Sequence, residues 1–239
     1  MIELAIISAG AAKAVVNAVR ADFRDAGDAE VLATFGAVGA MRAQLLEGNP
    51  CDLIILTAPM IAELEHEGRA VAGASAPLGR MHTGIAVRAG TTLPVITDRA
   101  SLESTLINAT SLYVPDTERS TAGRHVVKVL QALGIGAALA PRLRRFESGA
   151  IAMRELASST DERALGCTQI SEILYTPAVT LVGALPEAFD LATTYSAAIA
   201  SSARHPELAR RFLQVLTGPT SSDLRRHAGF EATEGLHNA

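Results

Sequence analysis

The chain has 239 residues, a formal net charge of −4 and an apolar fraction of 49%, with no tryptophan. This composition excludes a disordered chain and favours one large or two small domains with a substantial core. Acidic and basic residues are interspersed without a basic stripe, so nucleic acid is not an expected partner.

The two cysteines and the amino terminus bear on the compartment of the protein. Cys51 and Cys167 lack metal-ligand spacing and a neighbouring histidine, so we expect buried free thiols. No segment is long and apolar enough to span a membrane, and no secretion signal precedes the first strand. We therefore expect a cytoplasmic protein, or a periplasmic one if a signal is removed from the native chain.

A strand, a small-residue turn and a helix follow one another repeatedly in the amino-terminal part of the chain. The turns are Ser8-Ala9-Gly10, Gly36-Ala37-Val38-Gly39 and Thr57-Ala58-Pro59. Strands that alternate with helices predict a mostly parallel sheet with covered faces, whose ligands bind at the carboxyl ends of the strands. Helix N-termini at that edge favour an anion. For each turn alone, an ordinary strand-to-helix connection is the alternative.

The patterns in the rest of the chain predict a second set of elements between two crossings. A strand at Leu78–Val87 is predicted to leave the first lobe, and a strand at Thr193–Ile199 to return to it. The elements predicted between them are a helix at 101–107, a strand at 111–114, a helix at 122–133, a strand at 143–146, a helix ending at 156, a polar corner at 169–172 and a strand at 179–181. Helices at 206–216 and 222–227 are predicted to close the chain.

Several stretches resemble the family of periplasmic molybdate-binding proteins. The resemblance is carried by Ser8-Ala9-Gly10 after the first strand, Phe35–Gly39, Pro50–Ile55, Leu165-Gly166 and Ala228-Gly229-Phe230. It implies the type II periplasmic-binding-protein fold, with two α/β lobes, mostly parallel sheets and two crossing strands. By this resemblance lobe I is residues 1–80 with 196–239, lobe II is residues 81–195, and the ligand lies in a cleft between them.

The resemblance also disfavours molybdate as the ligand. Molybdate binders present serine hydroxyls where this chain has Gly10 and Val38, and a tyrosine where it has Gln169. Each unpaired polar contact in a dry site costs roughly 1–3 kcal/mol, so losing these donors weakens oxyanion binding. Three other runs resemble the aconitate-isomerase branch of the superfamily, which handles a small polycarboxylate: Leu4–Ala11, Ile55–Pro59 and Thr168–Ile173.

The candidate ligand-binding residues lie at the predicted strand and helix ends. Arg80 can hold a carboxylate with its planar guanidinium, with a lobe-to-lobe salt bridge as the alternative. The other candidates are Ser8, Ala9, Gly10, Ala37, Val38, Gly39, Thr57, Ser120, Thr121, Gln169 and Tyr195. An ordinary helix-cap or core role is the alternative for each of them.

An isomerase of an unsaturated acid needs a general acid/base that moves a proton between neighbouring carbons. His82 suits this role by its intrinsic pKa, and Glu172 would suit it if burial raised its pKa. The alternatives are a solvent-facing strand residue for His82 and a helix-start or surface carboxylate for Glu172.

These observations lead to a first expectation and two alternatives for the function. We expect a binding protein for a small organic di- or tricarboxylate that closes two lobes over its ligand. The alternatives are a cytoplasmic isomerase of an unsaturated polycarboxylic acid and a molybdate or tungstate receptor of an ABC transporter. No cofactor or metal is expected, the protein is expected to be a monomer, and an ABC permease is a partner only if the protein is exported.

Overall fold

A computed structural model of the chain describes residues 2–25 and 29–233. The chain divides into two compact units, which we call the first unit (Met1–Met81 with Thr193–Ala239) and the second unit (His82–Ala192). The unit boundaries fall at 81/82 and 192/193, whereas the sequence places them at 80/81 and 195/196. Tyr195 therefore belongs to the first unit.

Helices and strands alternate along much of the chain. In order they are β1 (Glu3–Ala9), α1 (Lys13–Asp25), β2 (Glu30–Gly36), α2 (Val38–Leu46), β3 (Leu53–Thr57), α3 (Ala58–His66), β4 (Ala70–Met81), β5 (Thr83–Arg88), α4 (Arg99–Asn108), β6 (Ser111–Pro115), α5 (Thr121–Ala132), α6 (Gly136–Leu139), β7 (Leu143–Phe146), α7 (Gly149–Ser158), β8 (Ala164–Gln169), α8 (Ile170–Tyr175), β9 (Val179–Ala184), β10 (Thr193–Ala200), α9 (Pro206–Thr217) and α10 (Ser222–His227).

In its described residues, the first unit contains a five-stranded sheet with the order β2-β1-β3-β10-β4. Strand β1 runs parallel to β2 and β3, and β10 runs antiparallel to β3 and β4. All strands of this sheet except β10 therefore point in one direction, as the prediction of a mostly parallel sheet requires. Every residue of β3 is buried, which is typical of a strand covered on both faces.

The described residues of the second unit form a sheet of the same design, with the order β7-β6-β8-β5-β9. Strand β6 is parallel to β7 and β8, and β5 is antiparallel to β8 and β9. Alternate residues of β5 enter two clusters: Ile85 packs with Leu102 and Leu112, and Ala86 packs with Met153. Because successive strand residues point to opposite faces, the two clusters lie on opposite sides of the sheet.

The predicted strand Leu78–Val87 is wrong in its extent. It is two strands, β4 and β5, with His82 between them, and β4 already begins at Ala70. Half of the residues of β4 are exposed and it contains positive-φ glycines at 73 and 79, so it lacks the apolar alternation that marks a strand. Its pairing with β10 makes it an edge strand, where Pro77 is tolerated.

Both cysteines are buried free thiols, as predicted. Burial raises the pKa of Cys51 and of Cys167 to about 12, which leaves both thiols protonated at neutral pH. None of the described helices combines the length and the apolar character needed to cross a membrane.

Candidate functional site

The strands of the first unit end in one row. Ala9 at the end of β1 lies opposite Gly36 at the end of β2, and Thr57 at the end of β3 lies opposite Tyr195 of β10. Tyr195 in turn pairs with the residue that precedes Arg80 on β4. The register therefore brings the predicted turns, the return strand and Arg80 to the same edge of one sheet.

Each of the three parallel strands in this row leads directly into a helix whose N-cap side chain makes no capping hydrogen bond. The N-cap residues are Ala9, before a short 3-10 turn and α1, Ala37, before α2, and Thr57, before α3. Amide groups in the first turn of a helix have no partner within the helix, and the helix dipole favours negative charge there. This edge of the first unit therefore presents backbone donors suited to an anion.

The side chains at this edge differ in what they offer. Ser8 is buried and its hydroxyl donates to the carbonyl of Ala9 at 3.0 Å. Tyr195 is buried and packs edge-on against Phe230, with ring centroids 6.2 Å apart. Arg80 is exposed, and its guanidinium makes no hydrogen bond or ion pair with any described residue.

Some residues predicted to lie in the turns of the first unit belong to helices instead. Gly10 begins the 3-10 turn that leads into α1, and α2 already begins at Val38, so Val38 and Gly39 form its first helical turn. Val38 is buried and packs into the core. What this edge can offer a ligand is therefore mainly backbone.

In the second unit, β8 ends at Gln169, and Thr83 at the start of β5 lies directly opposite it. The amide of Ile170, the first residue of α8, donates to the carbonyl of His82 at 2.9 Å. Directly opposite residues of an antiparallel pair carry their side chains on the same face of the sheet. The fold therefore places Thr83 beside Gln169, and Ser171 follows Gln169 by two residues in the first turn of α8. We call these three residues the polar corner.

The polar corner is buried and lacks hydrogen bonds. Gln169, Thr83 and Ser171 are 3%, 0% and 2% exposed. Neither amide atom of Gln169 has a hydrogen-bond partner among the described residues, and the hydroxyls of Thr83 and Ser171 also have none there. Most buried polar side-chain atoms in folded proteins are paired, and each unpaired group costs roughly 1–3 kcal/mol. A cluster of such groups is typical of a site whose partners come from a ligand.

Glu172 follows Ser171 on α8 and is only 8% exposed. The hydroxyl of Thr168 donates to its Oε2 at 2.5 Å. A Cβ added at Gly149, the first residue of α7, would lie 1.9 Å from that oxygen. The carboxylate therefore sits against the N-terminus of α7, where the helix dipole stabilises a negative charge.

We expect Gly149→Ala to lower the free energy of unfolding by about 2–3 kcal/mol, because the new methyl group would overlap the Glu172 and Thr168 side chains. Adding Glu172→Ala in the same chain is expected to remove much of the penalty that Gly149→Ala imposes. Urea unfolding of the wild type, both single variants and the double variant measures this coupling. Gly183→Ala is the control, because its added Cβ comes no closer than 3.7 Å to a neighbour. An equal cost of Gly149→Ala in both backgrounds would contradict the expectation.

His82 occupies the break between β4 and β5, and it is half-buried. Its Nδ1 lies 2.8 Å from Oδ1 of Asp190. A carboxylate at this distance fixes the orientation of the imidazole ring and the position of its proton. Through its carbonyl, His82 also holds the first amide of α8, next to the polar corner.

The start of α5 has two of the predicted hydroxyl donors in different roles. The hydroxyl of Ser120 accepts a hydrogen bond from the amide of Gly123 at 3.3 Å and so caps the helix. The hydroxyl of Thr121 is buried and has no partner among the described residues. Ser120 therefore has an ordinary capping role. The hydroxyl of Thr121, in contrast, can still form a hydrogen bond with a ligand.

Thr83, Ser171 and Asp190 are not among the residues predicted from the sequence. Ser171 could have been selected from the sequence, because it is a small polar residue in the predicted polar stretch 169–172 that contains Gln169. No local pattern marks Thr83 or Asp190, since their positions depend on which residues the fold brings opposite them.

Comparison with known proteins identifies the family of the chain. A family model for bacterial extracellular solute-binding proteins matches residues 4–231. The chain belongs to this family. Aconitate isomerase of Pseudomonas sp is 26% identical over 196 residues, which cover 80% of this chain and 71% of that protein. The molybdate-binding protein ModA of Escherichia coli is 25% identical over 231 residues, covering 94% of this chain and 88% of that protein.

The fold is also that of a solved relative. The periplasmic molybdate-binding protein of Azotobacter vinelandii superposes on this solute-binding protein with a TM-score of 0.80 at 18% identity, covering 97% of this chain and 100% of that one. This likeness confirms the predicted type II periplasmic-binding-protein fold. The match to ModA confirms the resemblance to molybdate-binding proteins.

Proposed function

We propose that this solute-binding protein binds a small organic di- or tricarboxylate. The observation that carries the proposal is the polar corner, where buried hydrogen-bonding groups have no partner among the described residues. Carboxylate oxygens accept hydrogen bonds from amide and hydroxyl donors of this kind. The helix N-termini of the first unit and the exposed guanidinium of Arg80 are further groups that suit carboxylates.

The same groups make molybdate and tungstate the less favoured ligands. Gly10 and Val38 supply no side-chain donors, and the side chain of Val38 is buried in the core. The amide oxygen of Gln169 needs a hydrogen-bond donor, which an inorganic oxyanion does not supply and an organic acid with a further polar group can supply. A carboxylic acid with a varied set of polar groups fits this corner better than a tetrahedral oxyanion.

A thermal-shift panel tests the proposal with molybdate, tungstate, sulfate, citrate, cis-aconitate and trans-aconitate. A ligand at a hundredfold excess over its Kd stabilises the native state by about 2.7 kcal/mol, which corresponds to about 5–10 °C for a chain of this size. We expect such shifts from one or more of the carboxylates and none from the inorganic anions. A shift with molybdate or tungstate alone would overturn the proposal.

An isomerase of an unsaturated polycarboxylic acid is the second candidate, and the His82–Asp190 pair favours it. If Asp190 accepts the Nδ1 proton of His82, the other ring nitrogen is the atom that takes up and returns a proton. That step would remove a proton from one carbon, shift the double bond, and deliver a proton to another carbon. The similarity to aconitate isomerase supports the same chemistry.

Incubation of the protein with cis-aconitate, followed by proton NMR, separates the two candidates. An isomerase converts it to the trans isomer, and His82→Gln is expected to abolish conversion while binding persists. A receptor binds the acid and leaves it unchanged. A receptor would also act outside the cytoplasmic membrane with an ABC permease as its partner, which an isomerase does not need.

A further inference from the structure

The amide group of Gln169 restricts the ligand further than the proposed function does. A hydroxyl can rotate to donate or to accept, so Thr83 and Ser171 adapt to either kind of ligand atom. An amide side chain cannot adapt in this way, because its nitrogen only donates and its oxygen only accepts. Both atoms of Gln169 are buried and unpartnered among the described residues, so this holds whichever way the amide is turned.

Carboxylates and inorganic oxyanions offer acceptors only. They can pair the Gln169 nitrogen and the two hydroxyls, but they leave the Gln169 oxygen without a donor. A buried acceptor that loses water and gains no donor weakens binding, and a site built around such a group discriminates against ligands that cannot satisfy it.

We propose that Gln169 is a specificity-determining residue that selects a carboxylic acid carrying a hydroxyl group. The ligand hydroxyl donates to the amide oxygen of Gln169, while ligand carboxylates accept from the amide nitrogen and from the hydroxyls of Thr83 and Ser171. This inference rests on the proposed function, since it names the member of the carboxylate class that the polar corner takes.

Two pairs of acids that differ chiefly in one hydroxyl group test the inference. Citrate is compared with tricarballylate, and malate with succinate, by isothermal titration calorimetry on the full chain. In the pair that fits the site, we expect the hydroxylated acid to have a Kd about tenfold to hundredfold lower than its partner. In Gln169→Met the two Kd values are expected to converge, because this side chain has similar length and no amide.

Two control variants separate this effect from a general disturbance of the protein. Gln131→Met makes the same substitution on the exposed surface of α5 and is expected to change neither Kd. Ser171→Ala removes a donor but keeps the Gln169 oxygen, so binding weakens while the preference for the hydroxylated acid remains.

The possible failures can be told apart. Equal Kd values for a hydroxylated acid and its partner in the wild type would overturn the inference and leave the proposed function standing. A preference that survives Gln169→Met, in a variant with a wild-type circular dichroism spectrum, would also overturn it. Absence of binding by all four acids would overturn the inference, and the proposed function also fails only if neither aconitate shifts the Tm in the thermal-shift panel.

Discussion

Asp52→Ala is expected to lower the free energy of unfolding by about 3–5 kcal/mol, or on the order of 10 °C in Tm. Asp52 is 2% exposed and lies just before β3. Its Oδ2 accepts from the amide of Ala5 on β1 at 2.8 Å, and its Oδ1 accepts from the amides of Arg204 and His205 at 2.6 and 2.9 Å. Removal of the carboxylate leaves three backbone donors without their acceptor.

The large loss of unfolding free energy is expected because these amides lie at the start of α9 and on β1. Arg204 and His205 stand at the start of α9, which has no capping side chain of its own. Asp52 caps that helix from 152 residues away in sequence and also ties β1 to β3. Loss of a helix cap alone costs about 1 kcal/mol, and the orphaned amide of β1 adds to it.

Urea unfolding followed by circular dichroism measures the change, with two further variants for comparison. Asp52→Asn keeps one acceptor oxygen and is expected to lose about 1–3 kcal/mol. Asp223→Ala, at an exposed pair with Arg226, is expected to stay within about 0.5 kcal/mol of the wild type. If Asp52→Ala unfolds at the same urea concentration as Asp223→Ala, Asp52 does not have this role.

Gly123→Ala is expected to destabilise the protein by about 2–4 kcal/mol, although alanine is the better helix former. Gly123 lies in the first turn of α5, which packs tightly on the end of β6. A Cβ there would lie 2.1 Å from the carbonyl oxygen of Asp116 and 2.7 Å from that of Pro115. Both are backbone atoms, which cannot move aside as the end of a side chain can.

The matched control for this prediction is Gly136→Ala at the start of α6. Its added Cβ would come no closer than 3.8 Å to the backbone of Leu130, which is ordinary contact. We expect this variant to be neutral or slightly more stable than the wild type. Thermal unfolding of both variants is the measurement, and equal Tm values for the two would contradict the predicted clash.

Much of the fold could be predicted because its signals are local. Strands β6 and β7 and helices α5, α9 and α10 lie within a residue or two of their predicted positions, since apolar periodicity and small-residue turns mark them. Strand β4 was predicted only in part, because its hydrogen bonds come from β10, far along the chain. The short helix α8 was not predicted as a helix, and only a polar stretch at 169–172 was expected there.

Some residues of the candidate site could also be predicted from local sequence patterns, whereas others could not. Residues at the ends of strands, such as Thr57 and Gln169, could be chosen from the sequence because strand ends are where ligands bind in open α/β sheets. Thr83 acquires its place only through its register against Gln169, and Asp190 only through its contact with His82. The burial of Glu172 depends on the absence of a side chain at Gly149.

The sequence by itself therefore determined the fold class, the order of its elements and the strand ends where binding groups would stand. The tertiary structure decided which of those groups are already paired and which are not. Ser120 is used as a cap, Val38 is packed into the core, and Gln169 is left with two buried unpartnered atoms. The physical reason is that local patterns depend on neighbouring residues, whereas burial and hydrogen-bond partners depend on residues that only folding brings together.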